Sequence, residues 1–141
     1  MAIDHDAVPV PAGPVAGPVR VVRAAEPDGA GGDEFTSVVA ATIDPSEPVF
    51  AGHYPDFPIF PGVCVVECVH RGAVVTVPDG ARLELAALES VRFTAAVHPG
   101  DDIEMSMRWR RSGVFWICDG RVRGPRATVA QVRLRYRISP E

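Results

Sequence analysis

At 141 residues the chain has the size of one domain, long enough to bury a sizeable core. Hydrophobic residues at 47% and charged residues at 23% are an ordinary globular balance, and no apolar run approaches the roughly 18 residues of a membrane span. The net charge of −4, with no recognition motif, argues against nucleic acid, and the start MAIDHDAVPVP lacks the basic, apolar pattern of a secretory signal, so a cytoplasmic protein with no membrane partner is expected.

Residues 1–18 contain Pro9, Pro11, Pro14 and Pro18 with Gly13 and Gly17, and read as an extended or disordered leader before a single domain over 19–141. A short strand is predicted over Val19–Ala24, ended by the turn-rich PDGAGGDE, and a second over Phe35–Ile43, rich in Val and Thr. Asp44 to Pro61 carries Pro45, Pro48, Pro55, Pro58 and Pro61, which predicts a stiff loop because each proline fixes its own φ.

GVCVVECVHRGAVVTV follows and is almost wholly apolar. Too long for one strand, it predicts a buried helix interrupted by Glu67, His70 and Arg71, with Gly72 blurring the boundary beyond Arg71. Four strands are then expected. In Leu83–Phe93 the apolar positions Leu83, Leu85, Ala87, Val91 and Phe93 share a face, and Ile103, Met105, Met107 and Trp109 alternate with Glu104, Ser106, Arg108 and Arg110. Val114–Val122 comes after a Ser112–Gly113 turn, and Val132, Leu134, Tyr136 and Ile138 alternate with Arg133, Arg135 and Arg137. Period-two alternation means a sheet wet on one face, and one buried helix against it gives an α+β layout.

All fourteen basic residues are arginines, so lysine Schiff-base chemistry is excluded. Nine of them lie between Arg108 and Arg137, where Asp119 is the only acid. Such a strip fits either an anionic partner or a solvated strand face. Cys64, Cys68 and Cys118 are an odd count with no disulfide framework. Cys64 and Cys68 would share a helical face near His70, but no second Cys/His pair completes a metal site, so none is expected and the cysteines read as small packing residues.

The segment FAGHYPDFPIFPGVCVVECVHR, Phe50–Arg71, holds the chemistry. His53 lies in the stiff loop and, with an unperturbed pKa near 6.5, can act as a neutral base. Glu67 lies among Val65, Val66, Cys68 and Val69, where an unpaired ionised carboxylate would cost several kcal/mol, so a raised pKa and a general-acid role are expected. The helix start at Pro61–Gly62–Val63 offers unpaired N–H groups that could polarise a carbonyl. The blander readings are a structural loop histidine and a Glu67 paired with Arg71 four residues on. The residues alone leave both open.

FxGHYPxFPIFPGVxxxE resembles the signature GHFPxxPxxPGVxxxE of the FabZ-type 3-hydroxyacyl-acyl-carrier-protein dehydratases. A second block, LAALESVRFTAAVHPGDDIEM, is similar to that family's segment ending in VRFxxxVxPGD, and the likeness covers roughly residues 19–138. It implies a hot-dog fold, a long central helix wrapped by a curved antiparallel sheet and paired into a dimer. His53 matches the catalytic histidine, Glu67 the catalytic glutamate, and Gly62 and Val63 the backbone that holds the thioester carbonyl. The resemblance further implies a site shared between two chains, with His53 of one facing Glu67 of the other. It also implies a substrate carried on the phosphopantetheine of an acyl carrier protein, and no metal or organic cofactor.

On that basis the chain is expected to remove water from a (3R)-3-hydroxyacyl thioester in fatty-acid or polyketide/lipopeptide biosynthesis. A homodimer, a higher oligomer of dimers and a heterodimer with a paralogue all fit, and Arg121, Arg123 and Arg126 are the expected carrier-docking residues. The chain departs from the family in lacking a His-Arg-Tyr-Pro-Phe-like opening, in carrying Arg71 at the family's glutamine, and in placing His70 beside it. Two rival readings are a hot-dog thioesterase and a non-catalytic partner subunit.

Overall fold

The computed structural model describes residues 15, 17–52 and 59–139, so His53 lies outside the described residues. The strands are β1 (Arg20–Pro27), β2 (Glu34–Thr42), β3 (Leu83–Phe93), β4 (Asp102–Ser112), β5 (Phe115–Arg123) and β6 (Thr128–Ile138). Two α-helices, α1 (Pro48–Gly52) and α2 (Gly62–Val75), lie between β2 and β3, followed by a 3₁₀ turn at Pro78–Gly80. The strands form one sheet in the order β1-β2-β4-β5-β6-β3, each neighbouring pair antiparallel.

Alternation decides which face of the sheet α2 covers. Ile103, Met105, Met107 and Trp109 of β4 and Ala130, Val132, Leu134 and Tyr136 of β6 are buried, while Arg108, Arg110, Arg133 and Arg137 between them face solvent or lie half-covered. The helix lays Cys64, Val65, Cys68, Val69, Gly72 and Ala73 on this apolar surface. Small residues let it come close. A Cβ at Gly72 would run into Val39 and stand 2.8 Å from Met107 Cε, and one at Gly120 would stand 2.8 Å from Val69 Cγ1. Gly72 is therefore the point of closest helix–sheet approach and not a helix end, and α2 continues past it to Val75.

Three local features differ from the sequence reading. The loop after β2 contains the one-turn helix α1, started by Pro48 at a position where its missing N–H costs nothing. In β3 two register shifts change the facing pattern: Leu85 pairs with Tyr136, but Ala87 pairs with Arg135 on the outer face and Leu88 with the buried Leu134. Each bulge adds a residue that breaks strict alternation, so Leu88 and not Ala87 joins the inner face. Lastly, the leader is anchored at its end. Val15 is 3% exposed and belongs to the core, and Gly17 N–H donates to Glu47 Oε2 at 2.8 Å.

A buried polar relay fixes the C-terminal end of α2. Trp109 Nε1–H donates to Ser37 Oγ (3.1 Å), Ser37 to Thr76 Oγ1 (3.0 Å), and Thr76 to the Gly72 carbonyl (2.7 Å). Every member has a partner, so the relay adds rigidity without an orphaned buried dipole.

Candidate active site on the open face of α2

The helix has two stripes. One is the core face; the other carries Val63, Glu67, His70 and Val74, spaced four, three and four residues apart. Val63 is 65% and Val74 46% exposed, while Glu67 and His70 are half-buried. Glu67 is thus less enclosed in the single chain than its apolar neighbours in sequence suggest.

The edge strand β3 reaches the start of this helix through Phe93, which lies against Gly62. Leu85, Leu88, Val91 and Phe93 stand opposite the buried Tyr136, Leu134, Val132 and Ala130 of β6, yet are 49%, 50%, 37% and 46% exposed. These four side chains make an exposed apolar patch along the edge strand.

The helix start is held from both sides. Phe60 N–H donates to the Val97 carbonyl at 2.8 Å and its ring meets Phe50 at 6.0 Å, which anchors the chain one residue before Pro61. Phe93 covers Gly62 so closely that a Cβ there would stand 2.7 Å from the ring. The Pro61 carbonyl accepts from the amides of Cys64 (2.9 Å) and Val65 (3.2 Å), while the amides of Gly62 and Val63 have no partner among the described residues. Both blocks of sequence similarity therefore converge here: the first supplies Gly62, Val63 and Glu67, and the second supplies Phe93 and Val97, which fix them in place.

Each polar interruption of α2 has a distinct environment. Arg71 donates through Nη1 to the Gly17 carbonyl (2.9 Å) and through Nη2 to the Val15 carbonyl, so its guanidinium is engaged with the leader and not with Glu67. His70 Nδ1 lies 2.8 Å from Tyr136 Oη, with the two rings nearly parallel at 11°. Burial holds the His70 pKa below its ordinary value, against an upward pull from Glu67 and with a downward push from Arg71. Glu67 has no hydrogen bond or ion pair among the described residues.

Cys64, Cys68 and Cys118 are buried, and burial pushes the first two thiols up to about 11 and about 12 and raises the third further. They are packing residues at neutral pH, not thiolates.

The expected docking arginines divide. Arg121 is exposed beside Arg108 and Arg133 in a shallow polar cleft on the outer face of the sheet, and Arg123 is exposed near Arg20. Arg126 makes a bidentate pair with Asp101, at 2.6 and 3.2 Å, while Asp101 also accepts the His98 N–H at 2.9 Å. The hydrogen bond from Arg126 holds the Asp101 carboxyl below the usual carboxylate range. Elsewhere the strip is partly neutralised, Arg133 by Asp119 at 2.7 Å and Arg135 by Glu89 at 3.7 Å.

Sequence reasoning treated Tyr136 as one more inward-facing residue of β6. Its hydroxyl and its partnership with His70 had no local signal, because the two residues meet only once the helix lies on the sheet.

Comparison with known proteins agrees with this geometry. The chain is 45% identical over 69 residues to the 3-hydroxyacyl-[acyl-carrier-protein] dehydratase FabZ of Solibacter usitatus, which covers 45% of this chain and 43% of that protein. It is 36% identical to the FabZ of Cereibacter sphaeroides, over 54% of each chain, and 32% identical to that of Rhizobium johnstonii, over 69% of this chain and 68% of the relative. The chain thus spans about half the length of the first two of these curated relatives. Among solved structures, the dehydratase heterocomplex ApeI:P from Xenorhabdus doucetiae superposes with a TM-score of 0.63 at 20% identity, covering 83% of this chain and 96% of that one. A hot-dog-like protein from Thermanaerovibrio acidaminovorans superposes at 0.64 with 15% identity, over 76% and 82%. These likenesses establish the hot-dog fold. The ApeI-like family, described as ApeI dehydratase, matches residues 31–122, and the chain belongs to it.

Proposed function

We propose that the protein removes water from a (3R)-3-hydroxyacyl thioester, carried on an acyl carrier protein, to give a trans-2-enoyl thioester. The observation that carries this reading is the placement of Glu67. Among the described residues it has no partner, and it stands on an open apolar stripe just over one helical turn beyond the amides of Gly62 and Val63, which have none there either. A thioester carbonyl at those amides puts the C3 hydroxyl of the same substrate within range of the carboxyl. Neutral His53 takes the C2 proton and the Gly62 and Val63 amides hold the enolate-like oxygen. Glu67 gives its proton to the hydroxyl, which leaves as water. Acid-base chemistry of this kind needs no metal or organic cofactor.

The reading includes a second chain. The uncovered inner face of β3 and the exposed stripe of α2 form only one side of a channel, and a second hot-dog subunit closes it and supplies the facing His53. A homodimer completes two equivalent sites by symmetry. A heterodimer with a paralogue does the same with one partner exchanged, and the ApeI:P heterocomplex is a relative in fold with that kind of name. Arg121 and Arg123 are the proposed contacts for an acidic carrier protein. Among the described residues no helix is long and apolar enough to cross a membrane, and a cytoplasmic location is part of the proposal.

The test is turnover of a purified 3-hydroxyacyl thioester by the protein alone and with its carrier. Enoyl product supports the reading, release of free thiol replaces it with a thioesterase, and inactivity cured only by a second subunit replaces it with a partner role.

A further inference from the structure

His70 is a second polar group on the site stripe, three residues after Glu67, and the reaction just described gives it nothing to do. Its ring is held in an unusual way for a helix surface residue. Tyr136, which is 0% exposed, meets Nδ1 at 2.8 Å and stacks beneath the imidazole with centroids 5.7 Å apart. Tyr136 is in turn wedged by Trp109, 6.1 Å away, and Trp109 is fixed by its Nε1–H bond to Ser37 and its edge contact with Trp116 at 6.2 Å. A side chain whose only task were to cover the helix would not need an aromatic stack and a buried hydrogen bond to fix its rotation.

The hydrogen bond also selects a tautomer. Burial drives the Tyr136 hydroxyl well above its ordinary pKa, so it is a neutral phenol. Among the described residues it has no partner except His70. A buried hydroxyl hydrogen left unpaired costs about 1–3 kcal/mol, so the phenol donates to Nδ1 and the ring hydrogen resides on Nε2. Nδ1 and Nε2 lie on opposite sides of the imidazole. With Nδ1 engaged by the buried sheet, the Nε2–H is directed away from it, on the stripe that carries Glu67. Residues three apart on a helix have Cβ atoms about 5–6 Å from each other, a gap that a glutamate side chain spans. The two groups already sense each other electrostatically, although no hydrogen bond joins them in the single chain.

We infer that His70 is a positioning residue: locked by Tyr136 as the Nε2–H tautomer, it donates to one carboxyl oxygen of Glu67 and leaves the other oxygen facing the substrate hydroxyl. The inference rests on the dehydratase reading for its kinetic consequence but not for its structural one. It also explains how a chain with an arginine at Glu67+4 keeps a hydrogen-bond donor beside its carboxyl. Arg71 is occupied by the leader, and His70 supplies a neutral donor on the adjacent position.

The experiment combines kinetics with imidazole nitrogen NMR of the full-length protein. His70→Ala and Tyr136→Phe are expected to lower kcat roughly tenfold with KM within twofold of wild type, and His70→Gln, which keeps a donor at similar reach, to recover most of the loss. In a Glu67→Gln background the His70→Ala change is expected to cost nothing further, because a residue acting through Glu67 has no separate effect once Glu67 is gone. Additive losses, or a loss confined to KM, would overturn the inference. The spectra decide it independently of activity, with the His70 signal assigned by its disappearance in His70→Gln. The expected result is a proton on Nε2, with that N–H resonance shifting on Glu67→Gln and the tautomers mixing on Tyr136→Phe. A proton on Nδ1, or an Nε2–H signal indifferent to Glu67→Gln, refutes the assignment even if the variants are too unstable for kinetics. Wild-type protein that makes no enoyl product removes the dehydratase reading, and the same spectra still decide the His70–Glu67 contact.

Discussion

Arg71 stands one turn beyond Glu67, where the FabZ-type signature has a glutamine, and its contacts make a quantitative prediction about the leader. Its guanidinium binds the Val15 and Gly17 carbonyls, Gly17 N–H binds Glu47, and Val15 is buried at 3% exposure. Each charge-assisted bond contributes about 1.5–3 kcal/mol and the valine about 2 kcal/mol. Ordering about three residues of backbone opposes this by about 3–6 kcal/mol. Counting the three bonds, the anchor is therefore favourable by about 4 kcal/mol, and it depends on the two that Arg71 makes. Without those two bonds the remaining terms roughly cancel, so Arg71→Gln detaches the leader. Removing residues 1–17 has the same thermal cost, about 3 °C of Tm per kcal/mol for a domain of this size.

The two perturbations differ in activity. Truncation leaves Arg71 in place with its leader partners gone, four residues from Glu67 and free to pair with that carboxyl. Truncated protein is expected to lose at least tenfold in kcat, and Arg71→Gln in the truncated chain to restore most of it. Melting curves and kcat on one 3-hydroxyacyl thioester measure both effects. Equal kcat in the truncated chain with and without Arg71→Gln would refute the reasoning, as would a Tm unchanged by truncation.

Other expectations follow from the site and its surroundings. His53→Ala and Glu67→Gln each lower dehydration by roughly 10²-fold or more with the melting transition retained; activity within a few-fold of wild type in either means the roles are misassigned. Mixing equal amounts of these two inactive chains recovers about a quarter of wild-type activity if a site draws one residue from each subunit, since about half the dimers then hold one intact site of two. Arg121→Glu and Arg123→Glu raise KM for a carrier-bound substrate in a salt-dependent way and leave a pantetheine thioester unaffected; equal losses on both substrates indicate a structural role. Arg126→Ala lowers stability at neutral pH because Asp101 loses its bidentate partner. The Asp101 carboxyl is depressed in the fold, so the pair's contribution is present above the unfolded carboxylate range near pH 4 and disappears as pH falls through the folded value. Wild type and Arg126→Ala should therefore converge in Tm in acid, and a gap that persists there contradicts the assignment.

The sequence was most informative where periodicity and burial coincide. The alternation of β4 and β6 and the apolar run of α2 carry the layout directly, because a wet-faced sheet and a buried helix each leave a regular imprint. Leu88 escaped that reasoning because a bulge changes facing without changing composition, and strict alternation puts Ala87 in its place. The Arg126 partner had no local signal, for Asp101 is twenty-five residues away and only the β4–β5 pairing, which sets Glu104 opposite Arg123, brings them together. Val15 was hidden in a proline- and glycine-rich stretch whose composition predicts no partner, since the arginine and glutamate that hold its neighbourhood lie on other elements. Motif and chemistry both point to Glu67, Gly62 and Val63, which the structure sets on one helix, whereas His53 falls outside the described part of the structure.

Three polar side chains interrupt α2, and their contrasting surroundings bear on which one does the chemistry. A helix packed on an apolar sheet can accept a charged or polar residue only if something satisfies it. Arg71 is satisfied by leader carbonyls, and His70 by a buried tyrosine, both within the same chain. Glu67 alone among these three has no such partner among the described residues, although it stands half-buried one turn beyond the exposed Val63. Arg71 lies within reach of Glu67 but is engaged by the Gly17 and Val15 carbonyls. Among the described residues, the Glu67 carboxyl and the amides of Gly62 and Val63 have no hydrogen-bond partner, and all three residues lie in the first half of α2. On the proposed dehydratase reading, a substrate carbonyl would meet the Gly62 and Val63 amides, its C3 hydroxyl would meet Glu67, and its acyl chain would lie along the exposed Leu85 and Leu88. A 3-hydroxyacyl thioester has that order of groups.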